Sequence, residues 1–592
     1  MIIAIVLFPM LIATFLILLF KNETIVKLSA ALGSIASLLL SIYIAIFDKN
    51  ISEQYRWFNL ISYSFGISFA TYTLNIILLL LVAIMTPIIV IYSIGYFKGK
   101  NYGIKRFYIE MLIFASAMML FAISENLITI FIAWEILGIT SYMLIGFWYN
   151  KEEAQEAARR SITTIVIGDI LFLSAIIIIF ATLGTTEISG LINTTNKSVL
   201  YLPMILIMIA AFTKSAQFPF NEWLADAMEA PTPVSAFLHS STMVKAGVFL
   251  IALLLPIYES LGLNYILVVI GIITAIVAVT NALSEHQIKR ILAYSTMEDL
   301  ALMFIALGLL NIFAAMLLFI VQTFYKALLF MNSGVMMNAN NDNSDIYKIH
   351  GLRDTRIILI TTIIGVVSLA GIIPFGSFFA KSMIDTSSNS TVLYFILLAI
   401  ELVSSTYMFR WMFIPLKDKN ASKTRSNKYK NTSKLMIAPI IITAILALFA
   451  PIALPLLGGI FGTYNILGNI LTYVINSIII AIGIMIAYVF FMRGAKIKIG
   501  KNSILYKAAY NSILINKFYN IFGNTFVYLS DFFNTIDYSI LKTFQSSGMY
   551  IYKFGMKIRK MVNGNVNDYY VVALIGFVFL VIIFSFIVFG VF

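Results

Sequence analysis

The chain contains no cysteine, only three histidines, and few charges: Asp, Glu, Lys and Arg make up 11% of its 592 residues. Without cysteine it carries no thiolate-ligated iron–sulfur cluster, disulfide or thiolate metal site. It also lacks a GxGxxG after a strand and a Walker-type GxxxxGK[ST], so nothing in it points to nucleotide binding. The short alternating segments of a transmembrane β-barrel are missing as well. What fills the chain is apolar: 61% of the residues are hydrophobic, in long unbroken runs. A hydrocarbon core of about 30 Å needs about 20 apolar residues per helix, and every backbone polar group in lipid must be paired within the chain. The fold class expected is an all-α polytopic membrane protein.

Apolar windows fall at 1–20, 25–47, 74–97, 107–123, 126–148, 160–183, 201–220, 233–256, 263–283, 290–310, 311–337, 357–383, 391–414, 435–457, 467–492 and 569–592. They predict about sixteen transmembrane helices. The first run begins at Met1 with no basic region or small-residue cleavage site, and reads as a retained helix rather than a signal peptide. Basic residues collect in alternate loops: Lys98, Lys100, Lys105 and Arg106; Arg159 and Arg160; Lys289 and Arg290; Lys417, Lys419, Lys423, Arg425, Lys428, Lys430 and Lys434. The opposite loops hold little beyond Lys49, Arg56 and Lys197. Basic loops stay cytoplasmic, so both termini are expected on the outer side. The same rule accounts for the net charge of +13 without nucleic acid as a partner. Residues 51–73 alternate weakly, are rich in aromatics, and predict a short hairpin on the outer surface.

Charges inside the apolar windows carry the functional signal, because each costs roughly 2.5–3.5 kcal/mol at the bilayer centre on insertion scales. The densest stretch is 212–250, FTKSAQFPFNEWLADAMEAPTPVSAFLHSSTMVKAGVFL, with Lys214, Asp226, Glu229, His239 and Lys245 among breaks expected at Pro219, Pro231 and Pro233. Proline-broken helices at membrane depth line polar cavities or substrate paths. Glu135 lies mid-window after Trp134, deep enough to be a proton-carrying carboxylate or the counter-ion of a buried lysine; Asp169 lies equally deep in the next window. His239 is of a residue type that titrates near neutral pH, although a lone buried histidine is commonly a hydrogen-bonded core residue. Glu298 and Asp299 are adjacent and point in different directions on a helix, so pairing with a neighbouring lysine and a place on a path are both open. Lys326 stands alone in its window. Lys381 follows the break expected at Pro374, about 160 residues after the first broken helix. Two such broken segments predict internally repeated halves. Residues 494–568 mix lysines with large apolar side chains at helical spacing, the pattern of an amphipathic helix lying along a membrane or along protein.

The stretches NLITIFIAWEILGITSYMLIGFW, 212–250, IKRILAYST, FYKALLF and PFGSFFAK resemble the antiporter-like subunits of respiratory complex I, a superfamily shared with Mrp sodium/proton antiporters. The amphipathic segment followed by one last apolar run is similar to the L-type subunit in particular. The resemblance implies this organisation: 1–106, N-terminal helices and outer hairpin; 107–256 and 257–434, two antiporter-like halves; 435–493, additional helices; 494–568, a lateral helix; 569–592, an anchoring helix. It also implies a proton path through Glu135, Asp169, Lys214, His239, Lys245, Lys326 and Lys381, with Glu298 and Asp299 as additional members. Glu135 resembles the family's mid-membrane glutamate and Lys214 its partner lysine, while Asp169 looks like the aspartate that meets neighbouring subunits. No cofactor or metal is expected on this chain; iron–sulfur clusters and quinone would sit on partner subunits, and M-, N-, K- and J-type subunits would surround it in a prokaryotic cytoplasmic membrane. The function implied is proton translocation within a complex I-like quinone oxidoreductase, with the large subunit of an Mrp antiporter as the alternative. Several residues depart from the family pattern. Gln322 stands where a relay histidine is usual, Lys245 matches the Mrp-like form MVKAG, an apolar IVI precedes Gly168 and Asp169 where an arginine is usual, and the acid pair after AYST is unusual.

Overall fold

A computed structural model describes residues 3–60, 63–99, 103–388, 390–417, 432–461, 470–493, 513–561 and 566–588. The chain divides into two compact units, Met1–Ile499 and Gly500–Phe592.

The first unit begins with α1 (Phe8–Leu19) and α2 (Glu23–Phe47), followed by strands β1 (Ser52–Leu60) and β2 (Tyr63–Ala70). Next come α3 (Thr73–Tyr96), α4 (Ile104–Ile123), α5 (Leu127–Ile145), α6 (Glu152–Leu183) and the short α7 (Ile188–Ile192). The middle of the chain forms α8 (Tyr201–Lys214), α9 (Glu222–Asp226), α10 (Thr232–Ser240), α11 (Met243–Leu253) and α12 (Leu255–Ser260). It continues through α13 (Asn264–Ser284), α14 (Ile288–Gly308), α15 (Ile312–Ala339), α16 (Arg356–Ala370), α17 (Gly376–Thr386) and α18 (Thr391–Leu416). The unit ends with α19 (Lys434–Phe449), α20 (Ala453–Phe461) and α21 (Ile470–Ala487). The second unit holds α22 (Ile513–Met561) and α23 (Val566–Val588).

Among the described residues, thirteen helical segments are long and apolar enough to cross a membrane, with three shorter apolar helices beside them, and each expected window coincides with one of these. The protein is a multi-pass, all-α membrane protein. Side-chain chemistry sets the helix ends. Asn126 Oδ1 accepts from the Thr129 amide at 2.7 Å and Asn311 Oδ1 from the Ala314 amide at 2.9 Å, two N-caps that occupy otherwise orphaned donors. Gly371, at φ +75°, ends α16 in the left-handed conformation that an L side chain resists.

β1 and β2 pair antiparallel from Ser52↔Ala70 to Leu60↔Tyr63, with an irregularity between Arg56 and Phe58, which is the hairpin expected over 51–73. Two carboxylates pin it to the helix ends. Glu125 accepts from Ser52 Oγ and from Tyr72 Oη (3.0 Å), and Glu187 accepts from Ser68 Oγ at 2.8 Å.

The expected helix breaks are real at two of the three places, with one correction. α8 ends at Lys214, and the chain runs non-helically past Pro219 to α9; α16 ends at Ala370 and passes Pro374 before α17. Pro231 and Pro233 instead begin a helix: Pro231 caps α10 and Pro233 lies in its first turn, where a missing N–H costs nothing. The interruption in that span comes later, at Ser241–Thr242 between α10 and α11. Backbone groups released at the breaks find side chains. Trp223 Nε1 donates to Thr213 O at 3.0 Å, Phe218 N to Thr274 Oγ1 at 2.9 Å, and Lys381 Nζ to Leu369 O at 3.2 Å.

Arg410 on α18 performs the same service for α13. Its guanidinium donates to Ala282 O (3.2 Å), Leu283 O (2.7 Å) and Glu285 O (2.6 Å), covering carbonyls that the helix end leaves open. Hydrogen bonds to charged groups contribute about 1.5–3 kcal/mol each, and they are not additive. Arg410→Leu is therefore expected to cost roughly 2–5 kcal/mol, read as a lowered unfolding midpoint of the detergent-purified protein.

In the second unit, α22 runs 49 residues. Phe532, Ile536, Ile540 and Phe544 line one face of it together with Thr535, Ser539 and Thr543. It is the amphipathic helix expected within 494–568; residues 494–512 and 562–565 lie outside the described residues, as do 418–431 of the most basic loop.

Candidate functional site: a buried file of lysines and carboxylates

The site is built where the interrupted helices meet α5, α6, α14 and α15. Lys214 occupies the last turn of α8, so its ammonium sits at the negative end of the helix dipole as well as beside the break. It is fully buried, donates to Trp134 O at 2.8 Å, stands 4.5 Å from the Trp134 ring centre and lies 3.8 Å from Asp169 Oδ1. Asp169 in turn accepts from Trp134 Nε1 at 2.6 Å. Glu135, the expected partner of this lysine, is half-buried on α5, and no ion pair or hydrogen bond to it occurs among the described residues. Asp169 is thus the only carboxylate within 4.0 Å of the Lys214 ammonium among the described residues. The reason is geometric. Trp134 points inward and bridges both groups, while Glu135, one residue on, is rotated by about 100° towards the bundle surface.

Lys245 lies on α11, just past the interruption, and points at α15, donating to Phe319 O and to Thr323 Oγ1 at 2.5 Å. Lys326, two turns after Phe319 on α15, binds Asp299 Oδ2 at 3.0 Å and Ser295 Oγ at 2.5 Å, both on α14. Tyr325 Oη also donates to Asp299 Oδ2, at 3.0 Å. Glu298, the neighbouring acid, faces the other way: Lys381 Nζ on α17 lies 3.7 Å from its Oε1, and Tyr407 Oη on α18 donates to its Oε2 at 2.5 Å. The acid pair therefore serves two lysines, one on α15 and one on α17. His239 is fully buried with both ring nitrogens unpartnered among the described residues, as are both amide atoms of Gln322, one turn before Lys326.

Two acids at the Lys381 end were not among the expected residues. Asp385 stands one turn beyond Lys381 on α17, and Glu401 is buried mid-way along α18. The rule that singled out Glu135, an acid far from either end of an apolar window, applies to Glu401 as well. Asp385 carries a weaker signal, because it borders the polar DTSSNS turn.

Close helix contact holds α11 against the break. A Cβ on Gly247 would run into Ala211 O and Ser215 Oγ, with the Ala211 carbonyl carbon at 3.0 Å. Gly247→Val should force α8 and α11 apart and shift Lys214, costing roughly 1–3 kcal/mol or more from overpacking. Gly247→Ala should be milder, and unfolding midpoints of the two variants provide the comparison.

Within this chain residues 124–408 match the family described as NADH:quinone oxidoreductase/Mrp antiporter, TM. The A-type subunit of the Na(+)/H(+) antiporter of Alkalihalophilus pseudofirmus is 33% identical over 449 residues, covering 70% of this chain and 54% of that protein, so the chain spans about half of that relative's length. The NADH-quinone oxidoreductase subunit L of Campylobacter jejuni is 32% identical over 433 residues, 72% of this chain and 71% of that protein. A chain of the Mrp complex from Dietzia sp. shares the fold, with a TM-score of 0.72 and 23% identity across 89% of this chain and 59% of that chain. With mid-membrane lysines and carboxylates on interrupted helices and this degree of likeness along its length, the chain belongs to the NADH:quinone oxidoreductase/Mrp antiporter family of membrane proteins.

Proposed function

We propose that the protein is the proton-translocating, L-type membrane-arm subunit of a complex I-like quinone oxidoreductase. One observation carries the reading: buried lysines on α8, α11, α15 and α17, three of them matched to acids on α6 and α14, form a file of ionisable groups inside an apolar bundle. Charges so placed are costly and typically mark ion or proton pathways. The roles follow from elementary electrostatics. A carboxylate beside a buried ammonium favours its protonated state, and withdrawing that carboxylate favours release. Glu135, half-buried beside the Lys214–Asp169 pair, is the group through which a neighbouring subunit would modulate that pair. His239, Lys245 and Gln322 border the centre of the file, where bridging water would complete the contacts between them.

Electron transfer, and with it the iron–sulfur clusters and quinone, belongs to partner chains, with M-, N-, K- and J-type subunits alongside this one in a prokaryotic cytoplasmic membrane, both termini outside. The α22–α23 extension supports the complex I-like reading. Lys245, in its MVKAG setting, supports a second reading as the large subunit of an Mrp-type sodium/proton antiporter. Mass spectrometry of the complex gently purified from native membranes separates them. Iron–sulfur and quinone-module subunits beside this chain are expected; small antiporter subunits alone would transfer the assignment to the antiporter.

A further inference from the structure

A closed ring of contacts joins the surface of the first unit to Lys214. Asp226, the last residue of α9, is gripped through both carboxylate oxygens by two different helices. Arg160 Nη1 on α6 donates to Oδ2 at 3.1 Å, and Arg290 Nη2 on α14 donates to Oδ1 at 2.5 Å. Arg290 also donates through Nε to Ala225 O at 3.2 Å, so its guanidinium holds the backbone of α9 as well as the side chain. Within α9 the buried Trp223 donates from Nε1 to the carbonyl of Thr213, the residue before Lys214. Lys214 in turn faces Asp169, which lies on α6 about 13 Å along the helix from Arg160. The ring therefore runs from α6 through Asp226, Trp223 and the last turn of α8, and returns to α6 through Asp169.

Lys214 needs such a hold because its own helix stops there. Past Lys214 the chain is non-helical as far as α9, and the last carbonyls of α8 lack the amide partners that a continued helix would supply. Thr213 is also closely seated. A Cβ on Gly168, the neighbour of Asp169, would lie 3.0 Å from the Thr213 Cβ and nearer still to its hydroxyl. A small shift of Thr213 is thus a shift of Lys214 against Asp169, across a separation of 3.8 Å. The Asp226 ion pairs themselves are partly exposed, with the Arg160, Arg290 and Asp226 side chains 58%, 28% and 15% accessible. Pairs of that kind contribute little to global stability. Their removal is expected to leave the fold standing and to loosen α9.

We propose that Asp226 is a positioning residue for Lys214: its paired arginines fix α9, and Trp223 transmits that restraint to the turn that carries the lysine. The functional consequence rests on the translocation reading; the mechanical link to Lys214 does not.

The test combines amide hydrogen exchange of the complex purified with its native partners and proton translocation in sealed vesicles. Asp226→Ala should speed exchange of the Ser215, Ala216 and Gln217 amides about tenfold or more, because local opening needs only the break to loosen. Peptides from α3 and α15 should exchange as in the wild type, and translocation should fall several-fold. Asp226→Glu, which restores the charge, should recover both. Trp223→Phe keeps an aromatic ring and loses the N–H, and it should reproduce the faster exchange even if Asp226→Ala fails to assemble. Combining the two substitutions should add little to either alone, since both cut the same ring. Unchanged exchange at the break in Asp226→Ala or Trp223→Phe, or full additivity in the double variant, would overturn the proposal. Equal acceleration throughout the chain would reduce Asp226 to a fold-stabilising residue and overturn it as well. Exchange is read without any proton movement, so it judges the positioning role even where the wild type translocates nothing and the translocation reading falls.

Discussion

Lys214→Met is expected to reduce proton translocation to background in sealed vesicles containing the assembled complex. The ammonium is the only cation within 4.0 Å of Asp169 among the described residues, at 3.8 Å. Methionine fills much of the same volume with no charge, so Asp169 would keep only the Trp134 indole as a partner. Breaking one side of a buried ion pair costs about 3–5 kcal/mol, and the acid would respond by holding a proton permanently. Loss of stability and loss of transport have to be separated, and the double variant Lys214→Met with Asp169→Leu does so. Replacing both partners by apolar groups commonly restores stability. If the double variant is stable and still transports nothing, the lysine acts in the pathway. A double variant that regains transport would reduce the pair to a structural clamp.

Asp299→Leu should have the second-largest effect. Lys326 would lose its carboxylate at 3.0 Å and retain Ser295, while the Tyr325 hydroxyl would lose its acceptor. A destabilisation of about 3–5 kcal/mol is expected, together with loss of translocation. Glu298→Gln is the sharper probe of function. Its amide oxygen can still accept from Tyr407, so folding should survive, but Lys381 loses its nearest negative charge. Translocation by this variant should fall several-fold at unchanged assembly. Full translocation would remove Glu298 from the pathway.

The sequence disclosed the spans well because length and hydropathy decide them. It disclosed the breaks where proline marks them, at Pro219 and Pro374. The interruption at Ser241–Thr242 has neither proline nor glycine to announce it; there the Thr242 hydroxyl donates to Phe237 O at 2.8 Å. Which lysine meets which acid was not legible, because pairing depends on helices brought together across long stretches of chain. Lys214 and Asp169 are a clear case: Trp134 touches both groups, whereas the family resemblance had named Glu135 as the partner of that lysine. Glu401 was readable from its position in an apolar run.

The placement of Glu298 and Asp299 has a mechanical side. Consecutive residues on one helix are fixed about 100° apart, and the entire apolar window of α14 is packed inside the bundle. The two acids are therefore mounted on one shaft. Turning it to bring one acid closer to its lysine would carry the other along the same arc, and the surrounding packing resists any turn at all. Adjustment falls to the parts that swing easily, the four-carbon arms of Lys326 and Lys381. On that view α14 behaves as a fixed post between two hinged arms, and the spacing of its carboxylates sets the distance each arm must cover.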